Sequence, residues 1–176
     1  MLKPLHLILT RHCNFAQYSY AHTHSRIFIL DSALDSWQTV CILTSEPVTN
    51  TNSTANGNCS AAAGWSPCAQ NVENCDAQHI DSMIHYELGF VAVLESTPTF
   101  FATGNGAFVY SCHTHCAAAS SLWSSVAING VTMQQAVSKW WAGAADAPAA
   151  SNTYLPCTYN GGDTKPRRCN PTCPLS

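Results

Sequence analysis

Ten cysteines, at positions 13, 41, 59, 68, 75, 112, 116, 157, 169 and 173, constrain this 176-residue chain more than any other feature. An even number at this density predicts a disulfide-rich fold with up to five bridges, formed in an oxidising compartment. Two N-x-S/T sequons, at Asn52 and Asn58, point the same way and sit in a polar stretch where a glycan can be solvated. Only 10% of residues are charged, against roughly 25% in ordinary domains. Ser, Thr, Asn and Ala fill the surface instead, as is common in glycosylated extracellular proteins. The net charge of −3 supplies no basic stripe for a nucleic-acid partner. No apolar run approaches the roughly 18 residues needed to cross a bilayer.

The amino terminus, "MLKPLHLILTRHC", makes a poor export signal, because Pro4 and His6 break its short apolar stretch. A disulfide-rich chain with such a start is expected to be the C-terminal portion of a longer precursor.

Periodicity supplies the elements. "RIFIL" (26–30) and "GAFVYSC" (106–112) are short apolar runs of the kind that form buried strands, the second following a Gly-Asn-Gly turn. Ile80, Met83, Ile84, Leu88 and Val91 recur at spacings of three and four, predicting a helix capped by Asp76 and closed before Pro98. Thr132 and Gln135 form a capping-box pattern ahead of Met133, Ala136, Val137, Trp140 and Trp141, with Gly143 as the stop. Residues 45–75 read as a polar, Cys-containing insertion, and residues 157–176 as a tail held by bridges. Alternating strand and helix indicates an α/β protein. Two strands make an incomplete sheet, so the remainder is expected upstream.

Two residues stand where α/β proteins place their chemistry. Asp35 lies just past the first predicted strand, and His115 holds the same relation to the second, eighty residues later. Ligands gather at the carboxyl ends of parallel strands, and acid before histidine is the chain order of the α/β-hydrolases. A carboxylate in that position holds the imidazole tautomer, and the imidazole takes a nucleophile's proton. A surface aspartate and a hydrogen-bonded histidine fit the same pattern. So does a metal site built on the H-x-H pairs His22/His24 and His113/His115, with Cys112 and Cys116 as thiolates, if those thiols are not oxidised. No G-x-S-x-G nucleophile motif occurs in the sequence. Ser60 in "GNCSAAAG" and Ser66 in "GWSPC" read as loop serines, since no strand precedes the first and Pro67 follows the second.

Several ordered motifs between Cys13 and Cys173 resemble the pectin acetylesterase and Notum carboxylesterase family. "CNFAQ" and "RIFILDSALDSWQ" are similar to its Cys-Phe-Phe-Pro-Gln segment and its strand ending in Tyr-Asp-Ser-Trp-Gln. "WSPCAQNVENCDAQHIDSM" is similar to its paired-cysteine and helix segment in the plant branch. "GAFVYSCHTHC" with Trp123 resembles its Ser-Cys-x-x-His-Cys motif and downstream Trp. "VTMQQAVSKWW" and "CNPTC" resemble its late helix and its terminus.

The resemblance implies the C-terminal part of an α/β-hydrolase fold with an incomplete sheet, requiring neither metal nor cofactor. It implies Asp35 as catalytic acid and His115 as catalytic base, with His113 at a variable position. The substrate expected is a carboxylic ester, namely acetyl groups on pectin or another extracellular polysaccharide. The nucleophilic serine and the oxyanion segment are expected outside this chain, on an upstream segment or a partner chain that completes the fold. Cys112 is expected to bridge to Cys173 and Cys157 to Cys169, with Cys68, Cys75 and Cys116 as further disulfide candidates. "SCHTHC" is then a catalytic-histidine loop pinned by disulfides on both sides. Leu34 departs from the family in replacing an aromatic residue, and Cys41 and Cys59 have no assignable partner. The rival reading is an esterase-like extracellular module that binds without catalysis.

Overall fold

A computed structural model describes residues 16–44, 61–62, 64–146, 153–157, 170 and 172–173. Three parallel strands form the main sheet: β1 (Phe28–Ser32), β2 (Gly106–Tyr110) and β5 (Thr153–Pro156), in the order β1-β2-β5. A separate two-stranded ribbon pairs β3 (Ala127–Ile128) with β4 (Val131–Thr132). The two long helices are α1 (Ala77–Ser96) and α2 (Met133–Asp146).

Helices cover both faces of the sheet, which is why β2 is buried at every position. Side chains alternate along β2. Ala107 and Val109 point to one face and pack with Val91, Phe90 and Leu94 of α1. Phe108 and Tyr110 point to the other and pack with Met133 and Ala136 of α2. The mixed, three-layered arrangement is the α/β architecture read from the sequence.

Both helix starts follow the sequence. The Asp76 side chain caps α1 by accepting from the His79 backbone N–H at 2.9 Å. Thr132 and Gln135 close a reciprocal capping box on α2, at 2.9 and 3.2 Å. At the amino ends of the strands, Trp140 donates Nε1–H to the Gly104 carbonyl at 2.6 Å, and Arg26 lies over the Trp140 ring at 4.9 Å. Gly104, at φ +89°, has no room for a side chain, since an added Cβ would come 2.6 Å from Arg26 Cδ. That end of the sheet is closed, and the carboxyl end is left for the site.

Several expectations are corrected. The first strand lies two residues later than "RIFIL", at Phe28–Ser32. The apolar stripe of α1 runs through Met83, Ile84, Glu87 and Val91, while Leu88 is 40% exposed. Spacings of four place residue 87 between Met83 and Val91, one helical step away from Leu88. On α2, Trp141 is 71% exposed and the helix continues past Gly143 to Asp146. Residues 64–75, expected to be part of a polar loop, are ordered and packed on the core. They form the helical turns Ser66–Gln70 and Val72–Asn74, joined by the Cys68–Cys75 disulfide. Cys68 and Val72 are buried against Met83 and Leu34. Leu34, 1% exposed, therefore fills the core at the position where the family pattern has an aromatic. Residues 45–60 and most of the tail lie outside the described residues, and with them Asn52, Asn58, Ser60 and Cys169.

Candidate active site

β1 and β2 run parallel with Ser32 opposite Tyr110, so the segments that follow them leave the sheet side by side. After β1 the chain turns at once into helix. The Ala33 N–H donates to the Tyr110 carbonyl at 2.8 Å, and the Leu34 N–H to Ser32 Oγ at 3.1 Å. Asp35 is the N-cap of the turn Ser36–Gln38, its Oδ1 accepting from the Gln38 N–H at 2.8 Å. A π-helical turn, Thr39–Leu43, continues from it.

After β2 the chain runs through Ser111 and Cys112, both 0% exposed, before the histidines emerge. This stretch is held from three directions. The Ser111 N–H donates to Asn170 Oδ1 at 3.1 Å, and Asn170 Nδ2 in turn donates to the Ala127 carbonyl at 2.6 Å. Ser32 Oγ donates to the Cys112 carbonyl at 2.6 Å, tying the two loops directly. The Cys112–Cys173 disulfide anchors the loop to the tail. A further bond runs from the Ser36 N–H to the Thr114 carbonyl at 3.3 Å.

These ties bring His115 Nδ1 to 2.8 Å from Asp35 Oδ2. Asp35 is 5% exposed, and the side chain of His115 is 53% exposed. A carboxylate can only accept, so the Nδ1 atom carries the proton and Nε2 presents its lone pair. Both Asp35 oxygens are occupied, since one starts the helix and the other aims the ring. Trp37, 47% exposed, lies with its ring centroid 6.3 Å from that of His115.

The dyad opens onto a cleft of about 210 Å³, lined by Asp31, Asp35, Tyr110, His115, Cys116 and Met133 among others. His113 is turned away. Its Nε2 is buried with no partner among the described residues, and burial pulls its imidazole below the ordinary range, against the neighbouring Asp35. His113 and His115 thus share no ligand, and among the described residues no three His, Cys, Asp or Glu side chains come together. Ser66 is exposed at the start of its helical turn and is not one of the cleft residues.

The cysteines divide. Cys112–Cys173 and Cys68–Cys75 are joined, and Cys41 and Cys157 are disulfide-bonded as well. Cys116 corrects the expectation of a loop pinned on both sides, because it carries a free, exposed thiol. At φ 55° it turns the chain in the left-handed region into the turn Ala117–Ala119, which leaves its side chain at the cleft. Hydrogen bonds and one disulfide hold the loop instead.

Sequence reading missed Asp31 and Asn170. Asp31 directly follows the apolar run 26–30, and an acid abutting a predicted buried strand was the available signal. Asn170 lies in the "CNPTC" terminus, where nothing local announces that its side chain, 1% exposed, will support the histidine loop.

The family profile described as pectinacetylesterase matches residues 5–174. Pectin acetylesterase 11 of Arabidopsis thaliana is 27% identical over 166 residues, and pectin acetylesterase 7 of the same plant is 24% identical over 166 residues. Each alignment covers 92% of this chain and 36% of the relative, so the chain spans about a third of the length of the curated relatives it matches. No solved structure matches. No helix among the described residues is long and apolar enough to cross a membrane. The chain belongs to the pectinacetylesterase family.

Proposed function

We propose that this chain is the acid–base half of a serine carboxylesterase that removes acetyl groups from pectin or a related extracellular polysaccharide. The carrying observation is the 2.8 Å pairing of His115 Nδ1 with buried Asp35 at the carboxyl ends of adjacent parallel strands, in a chain of the pectinacetylesterase family. The three-stranded sheet is then part of a larger α/β-hydrolase sheet, and the nucleophilic serine comes from an upstream segment or a partner chain. Support for that division is twofold: the sequence contains no G-x-S-x-G, and the alignments cover only 36% of the matched relatives. The disulfides support an extracellular, cell-wall setting.

In the reaction His115 Nε2 takes the serine proton as the oxygen attacks the acetyl carbonyl. Asp35 holds the ring on Nδ1 and stabilises the imidazolium that forms. His115 then returns the proton to the departing sugar hydroxyl. In the second half it accepts a proton from the water that releases acetate.

The test uses the full-length protein. It should release acetate from acetylated pectin and bind a fluorophosphonate covalently. His115→Ala should cut turnover by roughly a thousandfold or more while leaving the secreted, oxidised protein folded. A full-length protein that neither labels nor releases acetate overturns the reading in favour of a non-catalytic, esterase-like module.

A further inference from the structure

The cleft holds a second carboxyl group that the dyad does not use. Asp31 is half-buried in β1, and its Oδ1 accepts from the Ser32 N–H at 2.8 Å. That is the one hydrogen bond of this carboxyl among the described residues, and Asp31 lines the cleft with Asp35 and His115. The groups around it are Asp35 beyond β1, Tyr110 on β2, and His115 and Cys116 beyond β2. Burial, and then Asp35 and Asp31, raise the phenol of Tyr86 on α1. No lysine or arginine is among the described residues lining the cleft. Once Asp31 is ionised the cleft holds two carboxylates against one imidazole.

We propose that Asp31 is a specificity-determining residue of this cleft, a carboxylate that disfavours charged uronate units beside the reacting acetyl group and admits neutral, esterified ones. The choice of ligand rests on the esterase reading. The physical basis is general, because like charges brought together in one cleft raise the free energy of the bound state unless a cation lies between them, and none does among the described residues. The effect depends on pH. Burial, and then the neighbouring Asp35, push the Asp31 carboxyl up to about 6, against the Ser32 N–H and His115, which pull it down. Discrimination is therefore stronger at pH 7.5 than at pH 5.

The experiment measures binding, so it does not depend on turnover. Isothermal titration calorimetry compares the full-length protein with two non-acetylated oligogalacturonides of equal length, one free acid and one fully methyl-esterified, at low ionic strength. At pH 7.5 the charged oligomer should bind roughly three- to tenfold more weakly than the neutral one, and the ratio should move towards one at pH 5. Asp31→Asn should bring the pH 7.5 ratio close to one, and Asp31→Glu should keep it. The wild-type dependence on pH and salt stands as a test even where a variant folds poorly. A ratio that ignores pH, a ratio that Asp31→Asn leaves in place, or binding of neither oligomer overturns the proposal. Intact discrimination without acetate release would sink the esterase reading alone, and acetate release with a flat ratio would sink only the role of Asp31.

Discussion

Replacing Asp35 by asparagine should separate what this residue does for the fold from what it does for His115. Its Oδ1 caps the helical turn through the Gln38 N–H at 2.8 Å, and its Oδ2 holds His115 Nδ1 at 2.8 Å. Asparagine caps as well as aspartate, so the first bond survives when the side-chain oxygen stays on Gln38. The amide nitrogen then faces His115 Nδ1, and two donors cannot share that contact. The imidazole must move its proton to Nε2, the atom that has to accept the serine proton. Under the proposed function, turnover of the full-length protein should fall by roughly 10³- to 10⁴-fold, about 4–5.5 kcal/mol of transition-state stabilisation. Urea unfolding should show a stability change within about 0.5 kcal/mol. Asp35→Ala should lose a similar amount of activity and also about 1 kcal/mol of stability through the missing cap. The assay is acetate release beside urea unfolding for all three proteins. An asparagine variant within tenfold of wild-type turnover would refute the orienting role. One that loses as much stability as Asp35→Ala would refute the division of labour between the two oxygens.

Glu87 should make stability fall with rising pH. Its carboxyl is 0% exposed with neither oxygen partnered among the described residues, and burial pushes it up to about 8 from the ordinary 4.5. Between those values the folded state holds a proton that the unfolded state has released, so stability is full below pH 4.5 and declines towards pH 8. Glu87→Gln should match wild type at pH 4 and exceed it by about 3–5 kcal/mol at pH 8 in urea unfolding; equal stabilities at pH 8 would show that the carboxylate is compensated. Removing the Cys112–Cys173 bridge by a double serine substitution opens a 61-residue separation and should cost about 4 kcal/mol in denaturant titrations. Because Cys112 begins the histidine loop, the same variant should lose turnover beyond its unfolded fraction. Cys116 should react with iodoacetamide in the unreduced native protein, as read by peptide mass spectrometry, while Cys68, Cys75, Cys112 and Cys173 stay protected.

Local signals in the sequence were reliable wherever the physics is local. The Asp76 cap, the Thr132–Gln135 box and the apolar run of β2 act over four or five residues, and each forms as expected. The Asn-Gly pair in "AINGVT" is an equally local hairpin signal that sequence reading passed over. Asn129 at φ 51° and Gly130 at φ 79° make the tight turn of the β3–β4 ribbon. β5 carried no such signal, because "TYLP" is short, ends in proline and pairs with β2 only through the sheet. Leu88 was placed on the buried face where Glu87 in fact lies, because charge predicts exposure only on average and the neighbours that bury Glu87 are set by packing.

The sequence by itself determined the α/β class, the bridged chemistry of the chain, and the positions of Asp35 and His115 past two strands. Each of those follows from residue type and short-range spacing. Tertiary structure decided which histidine faces the carboxylate. It also left Cys116 free, and it made Asp31 a member of the cleft. Those outcomes depend on strands β1 and β2 lying in register with Ser32 opposite Tyr110, and on supports as remote as Asn170 and Cys173. Contacts across 59 to 80 residues of chain are settled by the packing of the whole fold, which no local pattern encodes.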